Sequence, residues 1–496
     1  MIKKGTIFTR IIGGNNLLLS LLLILFVFYN LSFFGGDLLV SFASAHQASL
    51  IEGNFFEQLI QSWNLRGFGY KLIIYFNYQI INPLVNMFES PKAFNHVFRG
   101  LHSVFFLITL FAGKILLKGK LKELGIKTNL LILASGIIFF SSSFLMVGQP
   151  EEYAFIFSIW FLIFSLSKRP TLNWLSGLFI PIIFSLKATT IGFLIVPFFL
   201  ILSQRDRINI KAIFSSALIG ILLTIGLYTT ILLTDFMDLF EASAFQKSGV
   251  MKFNYVKRMW RAFLSLIYYH PFLFFGVILS LFYSFKLLKK EQLVFFYLAL
   301  LGSLFVIFYQ SKFFPYHFVI LYPFGILGWY FLSPNRKLFF PGISLSIIIY
   351  LLVNIQTLEL NYKKALPASG AYNYTYNYEF RKEIADGIKS IIKNPNEQVL
   401  FLTEGGINYF LPNPSYSRYF YPLPLQRIAL NPGLKETEVY QKTLQSFLNY
   451  KGEYIVWQPD WFNLEFHPKL QNFINTEFVE VYNYNNYQKM KLLQRK

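Results

Sequence analysis

The 496-residue chain contains no cysteine, which excludes disulfides, thiolate nucleophiles and Cys-ligated metals and leaves the redox compartment undetermined. Charge is scarce: 14% of residues are Asp, Glu, Lys or Arg, against about 25% in an ordinary soluble domain. Acids are the scarcest, 25 against 45 Lys plus Arg, a balance of +20. There is no Gly-rich phosphate loop, zinc motif or serine-triad signature, so nucleotides are disfavoured as direct substrates. Soluble enzyme, disordered tail protein and nucleic-acid binder all fit poorly. The basic residues stand in short clusters between apolar runs, where membrane topology accounts for them without a nucleic-acid partner.

What the chain does have is apolar length, 54% hydrophobic residues. A bilayer core about 30 Å thick needs roughly 20 apolar residues per helix, fewer where helices are discontinuous. Eleven candidate spans are read at 17–34, 97–117, 130–147, 153–166, 172–186, 188–202, 212–233, 272–288, 293–309, 318–332 and 339–355. Prolines 181 and 197 are expected to break the fifth and sixth. Lys3, Lys4 and Arg10, then Lys118, Lys120, Lys122 and Lys127, then Lys168/Arg169, Arg205/Arg207, Lys289/Lys290 and Arg336/Lys337 all fall on one side if the N-terminus is cytoplasmic. The run 68–88 contains Lys71, Asn77, Gln79 and Asn82 and would invert every later loop, so it reads as a juxtamembrane helix. The N-terminal run is too long and too far from Ala43-Ser44-Ala45 for a cleaved signal peptide and reads as an uncleaved first helix.

Residues 1–356 hold 29 basic and 12 acidic residues, and 357–496 hold 16 and 13. The positive excess thus belongs to the first segment. The expected architecture is an α-helical polytopic membrane domain over 1–356, with an outer loop at 35–96, followed by a small outer-face α/β domain over 357–496. In that tail, helical periodicity marks 379–393 and 434–450, and β-rich runs mark 398–403, 454–458 and 478–482.

Charges at a membrane boundary are costly and therefore informative. Asp37 follows Phe33-Phe34-Gly35-Gly36 at the outer end of the first span, suited to a general base or a cation ligand, or simply ending a helix. Glu151 and Glu152, in Gly148-Gln149-Pro150-Glu151-Glu152-Tyr153, occupy a short outer hairpin. They could hold a divalent cation together with Asp37, hydrogen-bond sugar hydroxyls, or be acids favoured at a helix N-terminus. Lys187, between two apolar runs, is a phosphate point charge or a snorkelling lysine. Lys312, Tyr316 and His317 share one outer loop and together could stabilise a departing phosphate. Lys257, Arg258 and Arg261 lie outside against the charge rule, and Arg66 is a further outer cation. Each reads as an anion contact or as a solvated face.

Taken in order, these features resemble the GT-C superfamily of integral-membrane glycosyltransferases, nearest the branch of protein O-mannosyltransferases and aminoarabinose transferases. The resemblance rests on Asp37 with the Ala-rich segment through Ala45, Ala48 and Gly53, and on the Gly-Gln-Pro-Glu-Glu turn. It continues through Gly177 to Lys187-Ala188-Thr189, Phe314-Pro315-Tyr316-His317 to Pro323, and Ser417-Arg418-Tyr419 with Tyr421-Pro422-Leu423 in the tail. It implies transfer of a sugar from a polyprenyl-phosphate donor to a lipid, glycan or protein acceptor on the outer face. Asp37 would be the catalytic carboxylate, Glu151 or Glu152 the second acid, and Lys187, Lys312 and His317 phosphate contacts. Some members use a divalent cation; the single acid at Asp37, where many have a pair, separates this chain from them. The competing readings are a lipid-linked glycan flippase or transporter and a glycan polymerase or ligase. Against the first stands the absence of internal symmetry between halves.

Overall fold

A computed structural model describes residues 36–51, 68–88, 91–123, 126–141, 148–167, 169–202, 210–231, 255–310, 315–362, 378–417, 419, 422–426, 432–485 and 489–496. Helix predominates, with a small sheet near the C-terminus. The chain divides into two units. In their described parts, the first comprises Asn95–Leu223 and Asn254–Glu359, and the second Phe34–Phe94 and Leu360–Lys496. The segment expected as an outer loop thus groups with the tail, because its first helix hydrogen-bonds to loops of the terminal domain.

In the first unit the apolar runs from residue 97 onward are helical in their described parts apart from short breaks. The run 17–34 lies outside the described residues. Among the described residues two helices, Val97–Leu116 and Lys290–Gln310, are long and apolar enough to cross a membrane, and seven shorter apolar helices run 10–17 residues. Pro150, Pro170 and Pro271 each open a helix, where a missing N–H goes unneeded. Prolines 181 and 197 break their runs as expected, each about one turn upstream, because a proline ring clashes with the carbonyl four residues before it. One run breaks at Gly177-Leu178 and restarts at Phe179; the next is a 3-10 turn, Ala188–Leu194, before Ile195–Leu202. Both prolines therefore sit in the first turn of a new helix, which tolerates them.

Helices Pro271–Leu287 and Tyr322–Leu332 pack most closely. Gly276, Gly325 and Gly328 face one another there, and a Cβ on Gly328 would strike the carbonyl oxygen of Gly276. Such small residues let helix backbones approach in an apolar medium. The outward stripes are apolar too. Ile108, Phe111 and Ile115 on one helix, and Leu298, Leu301 and Phe305 on another, are exposed at helical spacing, whereas Ser303 is buried.

The second unit contains a four-stranded sheet in the order β1-β2-β4-β3: β1 (Val399–Leu402), β2 (Tyr454–Trp457), β3 (Phe478–Tyr484) and β4 (Met490–Arg495). β1 and β2 are parallel, and β4 runs antiparallel to both β2 and β3. Alternate residues of β1 feed opposite cores. Val399 and Phe401 pack with Ile384 and Ile388 of the helix Tyr378–Ile391; Leu400 and Leu402 pack with Leu444, Phe447, Leu470 and Ile474 from Glu438–Leu448 and Pro468–Glu477. The expected helix at 434–450 is divided by Thr437, whose hydroxyl caps Glu438–Leu448 by accepting from Tyr440 N–H. The run 68–88 is a helix, Phe68–Phe88, that packs against Gly36–Ser49.

Candidate active site

Among the described residues of the first unit, a group of buried ionisable side chains lies around the start of the helix Pro150–Ser165. Gly148 precedes it with φ 71°, a backbone state glycine adopts freely, and this turn delivers Pro150 to the first helical position. Glu151 and Glu152 therefore fall in the first turn, where the helix dipole favours negative charge. Successive residues on a helix point about 100° apart, and the two carboxylates meet different partners.

Glu151, 1% exposed, accepts a hydrogen bond from Lys187 Nζ at 2.6 Å. Lys187 also donates to Gln310 Oε1 at 3.1 Å, and its ammonium lies 5.6 Å from the centroid of the Tyr316 ring. Lys187 is an extended residue, φ −172° and ψ 138°, between the helix Phe179–Leu186 and the 3-10 turn. The Thr190 hydroxyl lies against the carbonyls of Ile183 and Lys187 and stabilises the break.

Glu152 is fully buried and accepts from His102 Nε2 at 3.0 Å and from Gly148 N–H at 2.9 Å. The carboxylate makes Nε2 the imidazole donor. Phe98 stacks on the His102 ring at 5.8 Å, and Tyr153 meets it edge-on at 4.9 Å. Among the described residues, His102 Nδ1, Glu151 Oε2 and Glu152 Oε1 have no hydrogen-bond partner. Buried polar atoms ordinarily find one, so the site offers two carboxylate oxygens and one imidazole nitrogen to whatever enters, a set suited to ligand hydroxyls.

The structure thus brings together Glu151, Lys187 and Tyr316, with Glu152 on the adjoining side of the same helical turn. The Lys187 ammonium, expected to face a phosphate, has its charge balanced by Glu151. His317, 2% exposed, meets Tyr316 edge-on at 4.7 Å. Asp37 opens the helix Gly36–Ser49 of the second unit; its side chain, like those of Arg258 and Arg261 in Tyr255–Tyr269, lies outside what is described. Lys257 on the latter helix is exposed. Lys312 and Arg66 also lie outside the described residues. Among the described residues no three His, Asp or Glu side chains converge to cage a metal ion, and the directions of Glu151 and Glu152 do not make such a cage.

Sequence reasoning missed His102 and Gln310. His102 stands near Arg99 and Ser103, all buried in one helix, and that run of polar groups inside an apolar stretch is the signal that could have found it. Gln310 is uncharged at the end of an apolar helix and gives no comparable signal. Comparison of the chain with protein-family models and with curated proteins finds no match.

Proposed function

We propose that this chain is a polytopic membrane glycosyltransferase of about eleven spans that moves a sugar from a polyprenyl-phosphate donor to an acceptor on the outer face, with the N-terminus cytoplasmic and the α/β domain outside. The observation that carries the reading is the buried group Glu151–Lys187–Gln310 with its neighbour Glu152–His102. Ionised groups inside an apolar helical body are costly to keep and are retained where they act. The outward apolar stripes support a lipid surround, and the one-sided basic loops support the orientation.

In the proposed reaction the acceptor hydroxyl attacks the anomeric carbon, the bond from that carbon to the phosphate oxygen breaks, and polyprenyl phosphate leaves with the bonding electrons. Asp37 takes the hydroxyl proton. Glu151 and Glu152 hold sugar hydroxyls, Lys187 fixes Glu151, and Lys312 with His317 offsets charge on the leaving phosphate. Arg66, Arg258 and Arg261 add positive surface for an anionic headgroup.

The test is turnover by purified full-length protein in detergent with a radiolabelled polyprenyl-phosphate sugar. Release of polyprenyl phosphate with label on an acceptor is expected, and Asp37→Asn should lower that rate by about 10²- to 10⁴-fold, the usual contribution of a general base. Movement of intact donor between leaflets without release would identify a flippase instead. A reporter fused after Lys496 should register outside; a cytoplasmic signal would change the span count by one.

A further inference from the structure

In the second unit the helix Gly36–Ser49 carries Asp37 in its first turn and His46 and Gln47 in its last. Leu39, Ala43, His46 and Gln47 lie on one face by helical spacing. A Cβ on Gly406 would sit 3.3 Å from Leu39 Cδ2, so this face lies over the 3-10 turn Gly406–Tyr409, just after β1.

The polar contacts of this face with the turn and with the loop after it are directional. Gln47 Nε2 donates to the carbonyls of Asn408 at 3.4 Å and Asn413 at 3.2 Å, while its Oε1 accepts from Ser415 N–H at 2.8 Å. His46 Nε2 donates to the Leu411 carbonyl at 2.8 Å, which leaves Nδ1 to accept from the Tyr78 hydroxyl at 2.7 Å. Tyr78 belongs to the helix Phe68–Phe88, so His46 ties two helices and one loop together.

The receiving loop is itself braced. Glu404 pairs with the buried Arg381, Glu404 N–H donates to Gln458 Oε1 at 3.1 Å, and Asn413 Nδ2 donates to the carbonyls of Asn394 and Glu397. This loop leaves the carboxyl end of a parallel strand, the edge where open α/β sheets usually present ligand-binding loops. Here a helix covers it.

We infer that the C-terminal α/β domain positions Asp37, with His46 and Gln47 as the latch. The inference rests on the glycosyl-transfer reading, in which Asp37 takes the acceptor's proton. At 1.5 Å per residue, nine residues place the latch about 14 Å along the helix from Asp37, so these two side chains act through the helix and not on the reacting atoms.

The test compares wild type, Gln47→Ala, His46→Ala and the conservative His46→Gln as full-length protein in detergent, by hydrogen exchange and by steady-state turnover. Ser415 N–H is bonded to Gln47 itself, so in Gln47→Ala the peptide containing it should exchange at least about tenfold faster, as loss of one buried hydrogen bond allows, while the β1 and β2 amides stay protected. The alanine variants should lose about 10- to 100-fold in kcat with the donor KM unchanged, the signature of a misplaced reacting group. His46→Gln, able to donate and accept, should recover part of that loss. Faster exchange with wild-type kcat would overturn the positioning role, and so would unchanged exchange. Absence of turnover in wild type would instead overturn the glycosyl-transfer reading and remove the inference with it.

Discussion

Lys187 and Glu151 in the first unit meet at 2.6 Å, and so do Lys382 and Asp386 in the second. The geometry is the same and the surroundings are not. The first pair is 18% and 1% exposed and stands among apolar helices; the second is 50% and 48% exposed on the face of one helix. Taking two charges out of water costs several kcal/mol per ion, which only the partner and further hydrogen bonds offset. Two solvated charges forgo almost nothing when they separate. Distance alone therefore says little about what a pair is for. Burial separates the pair that holds a site in place from the pair that decorates a surface.

The sharpest way to break this comparison is to remove one member of the buried pair. Lys187→Met leaves Glu151 uncompensated and should destabilise the protein by about 3–5 kcal/mol, read by chemical denaturation of the purified chain in detergent. The double substitution Glu151→Leu with Lys187→Met removes both charges and should recover most of that stability, since apolar replacements of a whole buried pair are often neutral. Turnover should stay lost in the double variant. If Lys187→Met behaves like a surface substitution, the pair is hydrated and the contrast between the units disappears.

His467 sharpens the comparison from within the tail, where one ionisable group is buried but neutral. It is 2% exposed, stacks on Phe462 at 5.1 Å, and its Nδ1 accepts from the Tyr440 hydroxyl at 3.2 Å. Burial, with a smaller push from the Lys435 charge, lowers its pKa from 6.5 to about 4. The unfolded chain therefore takes up a proton as pH falls through 6.5, and the folded chain does not until near 4. Stability from this group is complete above pH 6.5 and drains away as the pH drops toward 4. The upper bound is about 3 kcal/mol between pH 7 and 4. Burial lowers the pKa of His46 as well, so the discriminating quantity is the difference between wild type and His467→Gln. Denaturation of the two at pH 7 and pH 4.5 should show a shallower acid loss in the variant. Parallel curves would mean that His467 is already protonated in the folded state.

Much of the helical unit was legible because an apolar run announces itself one residue at a time. Glu151, Glu152 and Lys187 were legible as charges in the wrong surroundings. Their pairing was not, since Lys187 lies 36 residues from Glu151 and only packing brings them together. In the tail, β1 to β3 were legible from their β-rich composition, and β4 was not. Leu492 and Leu493 are adjacent in sequence yet enter opposite cores, because β4 lies between β2 and β3 with both faces covered. A strand buried on both sides loses the polar–apolar alternation by which strands are recognised. The helix Pro468–Glu477 likewise buries only Leu470 and Ile474, too few to set a visible period. Asp37 was legible from its place after Phe33-Phe34-Gly35-Gly36, with the family resemblance narrowing its role to the catalytic carboxylate, whereas the tie of His46 and Gln47 to the terminal domain depends on backbone groups more than 360 residues away.

The smallest expected effect closes the comparison from the solvated side. Lys382→Ala removes a pair at i,i+4 spacing on the helix Tyr378–Ile391. Because both side chains are half in water, the expected destabilisation is no more than about 0.5 kcal/mol. Added salt should erase it, since the Debye length falls from about 10 Å at 0.1 M to about 3 Å at 1 M. The Lys187→Met penalty, arising where ions do not penetrate, should persist at the same salt concentration. Measuring both variants at low and high salt thus separates solvent screening from pair geometry. An equal response to salt would mean that water reaches Glu151 as freely as Asp386, and the buried pair could no longer be set apart from the surface one.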